Sequence, residues 1–286
     1  MVPNLPIPAA ALALLNPDLP STLSSLQQRY SAYLATEICS EISEHDDMFA
    51  EPYVPPGSLT KPRSKMEHYM FAGRSAIELI ALAMACTLKE RFSSVLDLPC
   101  GGGRVTRHLK AFLPDARLFV GDLDKRKERF VTATFGATSV DPGADFGIPE
   151  ADRFDLIFVG SLLTHFGANQ YQRALRWFID ALAPRGLLIF TTHGRRTFHK
   201  RSADFQSAEW REGVRGYVET GFGYRPSGPT MPMDGPSSYG TSLSAPHWVA
   251  RLVESDPEVR LVHLAEGAWA DNQDAVVLQK RPLTGE

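Results

Sequence analysis

From Phe92 onward, short apolar runs alternate with stretches whose apolar positions recur every three or four residues. That alternation predicts an α/β sheet. Strands are expected over 94–98, 117–121, 138–140, 155–160 and 187–191. Between them Val105, Leu109 and Phe112 form one helical stripe, and Tyr171, Leu175, Phe178 and Leu182 form another. Upstream, Ile77, Ile80, Met84 and Leu88 lie at helical spacing on a segment that is apolar on its other faces too, so this helix should be buried against the sheet. The stretch 21–49 reads as a helix, with Leu26, Tyr30, Tyr33 and Ile38 in phase and a charged end at Glu44, His45, Asp46 and Asp47. It suits a lid, a dimer contact or packing. The proline-rich EPYVPPGSLTKPR that follows reads as an extended linker. Near the other end, a helix starting at Ser244 or Pro246 precedes apolar runs over 259–264 and 274–279, joined by AEGAWADNQ. A link so short forces the two runs to pair antiparallel, because a parallel return needs a crossover of a dozen or more residues.

Composition narrows the class. A chain of 286 residues, 43% hydrophobic, buries a full-sized core. The simplest division is an N-terminal helical and extended segment, 1–62, and one catalytic domain, 63–286, with 193–243 as an insertion that shapes an acceptor pocket. Acidic residues outnumber basic ones, 33 to 30, so no overall positive field attracts a phosphate backbone, and nucleic acid is not expected as a partner. Three scattered cysteines, Cys39, Cys86 and Cys100, point to a reducing, cytoplasmic setting. The N-terminal Ala/Leu run is bracketed by prolines and has no basic residue before it, so it does not read as a signal peptide. The apolar stretch 76–88 contains Glu78 and is shorter than the roughly 20 residues of a membrane span, so none is expected.

The strongest chemical signal is VLDLPCGGGRVTRHLK, a strand running through Asp97 into glycines and then a helix. Gly101 and Gly103 allow backbone to approach a ligand closely. Thr106 stands where a dinucleotide fingerprint needs its third glycine, and no Gly-Lys-Ser/Thr follows for a P-loop. The stretch resembles the first cofactor motif of class I methyltransferases, which bind S-adenosylmethionine (SAM), with Pro99 in place of the first glycine. Three further stretches resemble that superfamily in the same order: RLFVGDLDKRK, DFGIPEADRFDLIFVGSLLTHF and ALAPRGLLIFTTHG, where Arg185 occupies a glycine position.

The resemblance implies a Rossmann-like, seven-stranded, mostly parallel sheet closed by an antiparallel pair. It implies SAM as cofactor, held by Asp97, Pro99, Cys100, Gly101, Gly103 and Arg104 in the loop and by Asp122 and Leu123 at the ribose. Asp124 stands second to Asp122, with a solvated helix start as its other reading. Asp145 and Phe146 would meet the adenine, with Asp141 as competitor, and Ser161 and Leu162 would line the site. Tyr69 and Gly73 would lie nearest on a helix that covers it, with Met70 and Phe71 explained equally well by core packing. LPCGGGRV, GDLD, VGSLLTHF, THGR and YGTSLSAPHWV are similar to a bacterial subgroup associated with glycan biosynthesis, which implies a sugar hydroxyl as acceptor. A protein or RNA methyltransferase and a non-catalytic interaction module are the alternatives, and a homodimer is possible.

SAM chemistry requires no metal, but a hydroxyl acceptor gains from a general base. His165 and His193 fall at the ends of strands four and five, where such sheets bind ligands, with neutral packing as the alternative for each. In the insertion Trp210, Tyr217, Phe222, Tyr224 and Tyr239 are candidates to face the acceptor. Arg195, Arg196, Lys200 and Arg201 would grip an anionic group or form a solvated face. Trp269 and Asn272 would reach the pocket from below or pack at the surface.

Overall fold

The computed structural model describes residues 19–49, 64–143, 146, 147, 149, 153–228 and 239–282. The proline-rich linker and Asp145 lie outside the described residues. The sheet has the strands β1 (Ser94–Asp97), β2 (Arg117–Val120), β3 (Thr138–Ser139), β4 (Phe154–Val159), β5 (Leu182–Thr192), β8 (Val259–Trp269) and β9 (Gln273–Lys280) in the order β3-β2-β1-β4-β5-β9-β8. The first five run parallel, and β9 is antiparallel to both β5 and β8. This is the Rossmann-like fold expected. Because strand side chains alternate faces, Leu96, Ile157 and Leu188 enter one core while Val95, Leu156, Phe158, Leu187 and Ile189 enter the other.

Two helical layers close those faces. On the first face Tyr171, Leu175 and Phe178 of Ala168–Ala181 and Val249 and Val253 of Pro246–Glu254 complete the core. On the second, Ile77, Ile80 and Met84 of the long helix Lys65–Thr87 pack with Leu109 and Phe112 of Thr106–Phe112. The long helix starts at a capping box, Ser64 with Glu67, and at 23 residues it is long and apolar enough to cross a membrane. Half of its apolar window is buried inside the fold.

Three expectations need correction. The first helix spans Leu19–Ala35 rather than 21–49, and the chain then runs without regular structure, through a turn at Glu44 and His45, to a short 3-10 turn, Asp47–Phe49. Strand β8 continues to Trp269, through what reads in the sequence as a loop, because register shifts between Ala265 and Trp269 hide its period-two pattern. The insertion has structure of its own: helices Arg195–Lys200, Ser202–Phe205 and Arg211–Thr220, then the hairpin of β6 (Phe222–Pro226) and β7 (Gly240–Ser244). Phe205, Trp210, Tyr217 and Leu243 form its small core. Arg185 has φ +60°, the left-handed angle that a glycine at its place would accept freely.

Candidate active site

Two hollows adjoin at the C-terminal edge of β1, β2 and β4, one of about 450 Å3 and one of about 180 Å3, and both are walled by Pro99, Asp122, Leu123, Leu162 and Tyr239. The larger also takes Asp97, Cys100, Gly101, Gly102 and Arg104 from the glycine loop. Its volume lies in the range of small-molecule sites, about 300–1,000 Å3. Gly101 holds φ +51°, and a Cβ placed on it would meet no atom within 4 Å, so its backbone is bare toward open space. The Leu98–Pro99 peptide is cis, and the Cys100 amide donates to the Gly121 carbonyl at 2.9 Å, fixing the loop across the end of β2.

Asp122 stands where the hollows meet. Its carboxylate accepts one backbone N–H on each oxygen, from Gly101 at 2.9 Å and from Asp124 at 2.9 Å, so its orientation is set and each oxygen keeps a lone pair for a ligand hydroxyl. Asp97 is different. It is buried against the Thr106 hydroxyl at 2.6 Å, and burial pushes its carboxyl up to about 7. Asp124 caps helix Lys125–Phe135, bonding to Arg126, and also lines the larger hollow.

The smaller hollow is walled by Phe146, Phe166, Pro142 and Asp141. Phe146 packs edge-on against Phe166, Trp177 and Phe178, which fixes its ring. At the end of β4, Ser161 has φ +61° and is held by Thr191 and Gln273: its amide donates to the Thr191 hydroxyl at 2.8 Å, and the Gln273 amide donates to its hydroxyl at 2.9 Å.

The two histidines separate. His165 lines the larger hollow in the 3-10 turn Leu163–His165, stacked on Tyr239 with 4.6 Å between ring centroids. Its Nδ1 lies 2.8 Å from the Gly240 carbonyl. A carbonyl only accepts, so Nδ1 carries the proton and Nε2 is the basic nitrogen. Burial lowers its pKa below 6.5, keeping the ring neutral at pH 7. His193 is buried away from both hollows, where burial drives its pKa down to about 3. That is the environment of a packing histidine.

Tyr69, Gly73 and Gly103 also stand outside both linings: Tyr69 under the glycine loop, Gly73 against His108, and Gly103 against Phe135. Of the insertion's five candidate aromatics only Tyr239 lines a hollow; Trp210 and Tyr217 are buried in the insertion's own core, Tyr224 is buried elsewhere, and Phe222 packs on Trp248. The basic run turns elsewhere too. Arg195 pairs with Glu266, Arg196 packs at Gly267, Lys200 bonds the Asp271 carbonyl and Arg201 pairs with Asp204. Trp269 does wall the larger hollow, its indole N–H donating to the Ala72 carbonyl at 3.0 Å, while Asn272 does not line it.

Sequence reading missed the role of Asp46, Asp47 and Met48, which close one side of the larger hollow. Arg107, 2% exposed, holds this segment down: its guanidinium donates to the carbonyls of Cys39, Glu41, Gly102 and Gly103. The charged run at 44–47 was the one visible sign.

A family model described as a methyltransferase domain matches residues 66–222. The chain is 27% identical over 158 residues to a malonyl-[acyl-carrier protein] O-methyltransferase of Bacillus cereus, which is 51% of this chain and 55% of that protein. It thus spans about half the length of the curated relatives it matches. A SAM-dependent methyltransferase from Clostridium acetobutylicum superposes with a TM-score of 0.51 at 13% identity, covering 74% of this chain and 92% of the other. The 1,6-didemethyltoxoflavin-N1-methyltransferase of Burkholderia thailandensis, solved with bound 1,6-didemethyltoxoflavin and S-adenosylhomocysteine, gives a TM-score of 0.51 at 14% identity over 98% of this chain and 93% of its own. These two likenesses establish the fold.

Proposed function

Since the chain belongs to the methyltransferase-domain family, we propose that it binds SAM in the two adjoining hollows and methylates a hydroxyl of a small acceptor, a sugar or a similar polyol. The observation that carries this reading is Asp122, a carboxylate oriented by two backbone amides at the junction of an acidic hollow and an aromatic one.

The residues present suit the cofactor. Asp122 would take the ribose hydroxyls, and the bare Gly101 backbone leaves room beside it. Phe146 offers a fixed ring for the adenine, and the half-buried Arg104, over the Trp269 ring at 5.2 Å, would take the carboxylate of the aminoacyl end. Bound there, SAM supplies a methyl group already activated on a sulfonium. The chain supplies position and a proton acceptor. His165 Nε2 is the basic atom in the larger hollow, and Tyr239 holds its ring plane. Leu162 and Trp269 add apolar surface to the walls of the larger hollow beside His165. Three unpaired thiols agree with a cytoplasmic setting.

Asp122→Ala is expected to weaken SAM binding by about 1.5–3 kcal/mol, the worth of hydrogen bonds to a charged group. Calorimetry checks it, and unchanged affinity removes the ribose assignment. For the acceptor, release of S-adenosylhomocysteine is followed over sugars, nucleotide sugars, small phenols and malonyl thioesters. Turnover with hydroxyl acceptors alone supports the proposal, and turnover with malonyl thioesters alone transfers the acceptor of the curated relatives to this chain. SAM binding without transfer to any of them favours a non-catalytic interaction module.

A further inference from the structure

Asp46 lines the larger hollow although only 6% of it is exposed. Its Oδ1 accepts the Met48 amide at 3.0 Å and its Oδ2 accepts the Tyr69 hydroxyl at 2.6 Å. Oδ2 rests directly on the glycine loop, since a Cβ on Gly102 would collide with it. Among the described residues no lysine, arginine or histidine nitrogen comes within 4.0 Å of this carboxylate. Two cations of the same hollow, Arg104 and Lys127, act on it only from farther off, and Lys127 is bound to Asp47 at 2.8 Å. A carboxylate withdrawn from water whose direct hydrogen bonds come only from neutral donors is costly, and the cost falls further when a cation binds it directly.

The loop gives the direction of the ligand. Asp122 is bonded to Gly101 and Asp46 covers Gly102, so the two carboxylates flank consecutive residues of the same loop. A nucleoside whose ribose is held by Asp122 and whose base lies by Phe146 would extend its aminoacyl end into the larger hollow, which Asp46 and Arg104 both line. The other acid at the loop, Asp97, is already engaged by Thr106.

We infer that Asp46 binds the α-ammonium of the SAM aminoacyl tail, with Tyr69 as the residue that positions it. This rests on the SAM reading of the hollow. It places a cofactor contact outside the matched methyltransferase domain, residues 66–222, on a segment that Arg107 clamps to the glycine loop.

The test is calorimetry of the full chain and of Asp46→Asn with two ligands, S-adenosylhomocysteine and 5′-methylthioadenosine. They share the nucleoside and the thioether, and only the first carries the aminoacyl tail. Asp46→Asn should bind S-adenosylhomocysteine about tenfold to a hundredfold more weakly, the span of a charged hydrogen bond, and 5′-methylthioadenosine as the parent does. Unimpaired binding of the nucleoside also shows that the variant is folded. Equal loss for both ligands means a structural role and overturns the inference, as does S-adenosylhomocysteine bound equally by both proteins. A parent chain that binds neither ligand overturns the SAM reading, and this inference with it.

Discussion

His165→Ala should lower turnover by about 10²- to 10⁴-fold, the usual contribution of a positioned general base. SAM affinity should stay close to that of the parent, because the imidazole is assigned to the acceptor and not to the cofactor. The pH dependence is the sharper readout. Burial lowers the His165 pKa below 6.5, so the basic form is present at neutral pH, and activity is lost as pH falls through that lowered value. The parent should show a kcat/KM that rises with pH to a plateau, with its midpoint below 6.5. In the variant that acidic limb should vanish. A variant that keeps both rate and limb would show that the acceptor loses its proton elsewhere. His193→Ala is the control: His193 lies outside both hollows, so the same limb should persist there.

Arg107→Ala should have the largest effect on the fold. The guanidinium is buried and donates to four carbonyls, at 2.6 Å to Cys39, 3.0 Å to Glu41, 3.2 Å to Gly102 and 3.0 Å to Gly103. Those of Cys39 and Glu41 can turn to water, since both residues are exposed; those of the two buried glycines cannot and would keep one donor each, the Tyr69 hydroxyl for Gly102 and the residue-107 amide for Gly103. The expected loss is about 2–4 kcal/mol, read from urea unfolding. SAM affinity should fall as well, since Asp46 to Met48 would no longer be held against the glycine loop. Arg107→Lys should restore little, because an ammonium cannot span carbonyls that a planar fork reaches. Stability unchanged in Arg107→Ala would mean that the N-terminal wall is held by other contacts.

The parallel sheet was legible because its central strands β1 and β4 are buried almost throughout and so read as apolar runs broken by a single aspartate, as in VLDL and FDLIFV. The glycine loop and the acid ending β2 were legible because their positions follow directly from strand-to-helix turns. The N-terminal wall was not. Arg107 grips it through backbone carbonyls, which every residue type carries, so no pattern in 39–46 announces the contact. The insertion misled for a different reason. Aromatic residues suit a ligand wall and a small core equally, and composition cannot say that Trp210 and Tyr217 face each other's neighbours while Tyr239 faces the hollow. The histidines show the same limit, as both follow a strand and only burial and lining separate them.

That the two hollows hold one nucleoside cofactor is tested most directly by a crystal structure of the chain with S-adenosylhomocysteine. The ribose hydroxyls should lie within hydrogen-bonding distance of Asp122, the adenine beside Phe146 and the sulfur on the side of the hollow that His165 lines. A ligand seated elsewhere, with Asp122 touching only Gly101 and Asp124, would contradict it.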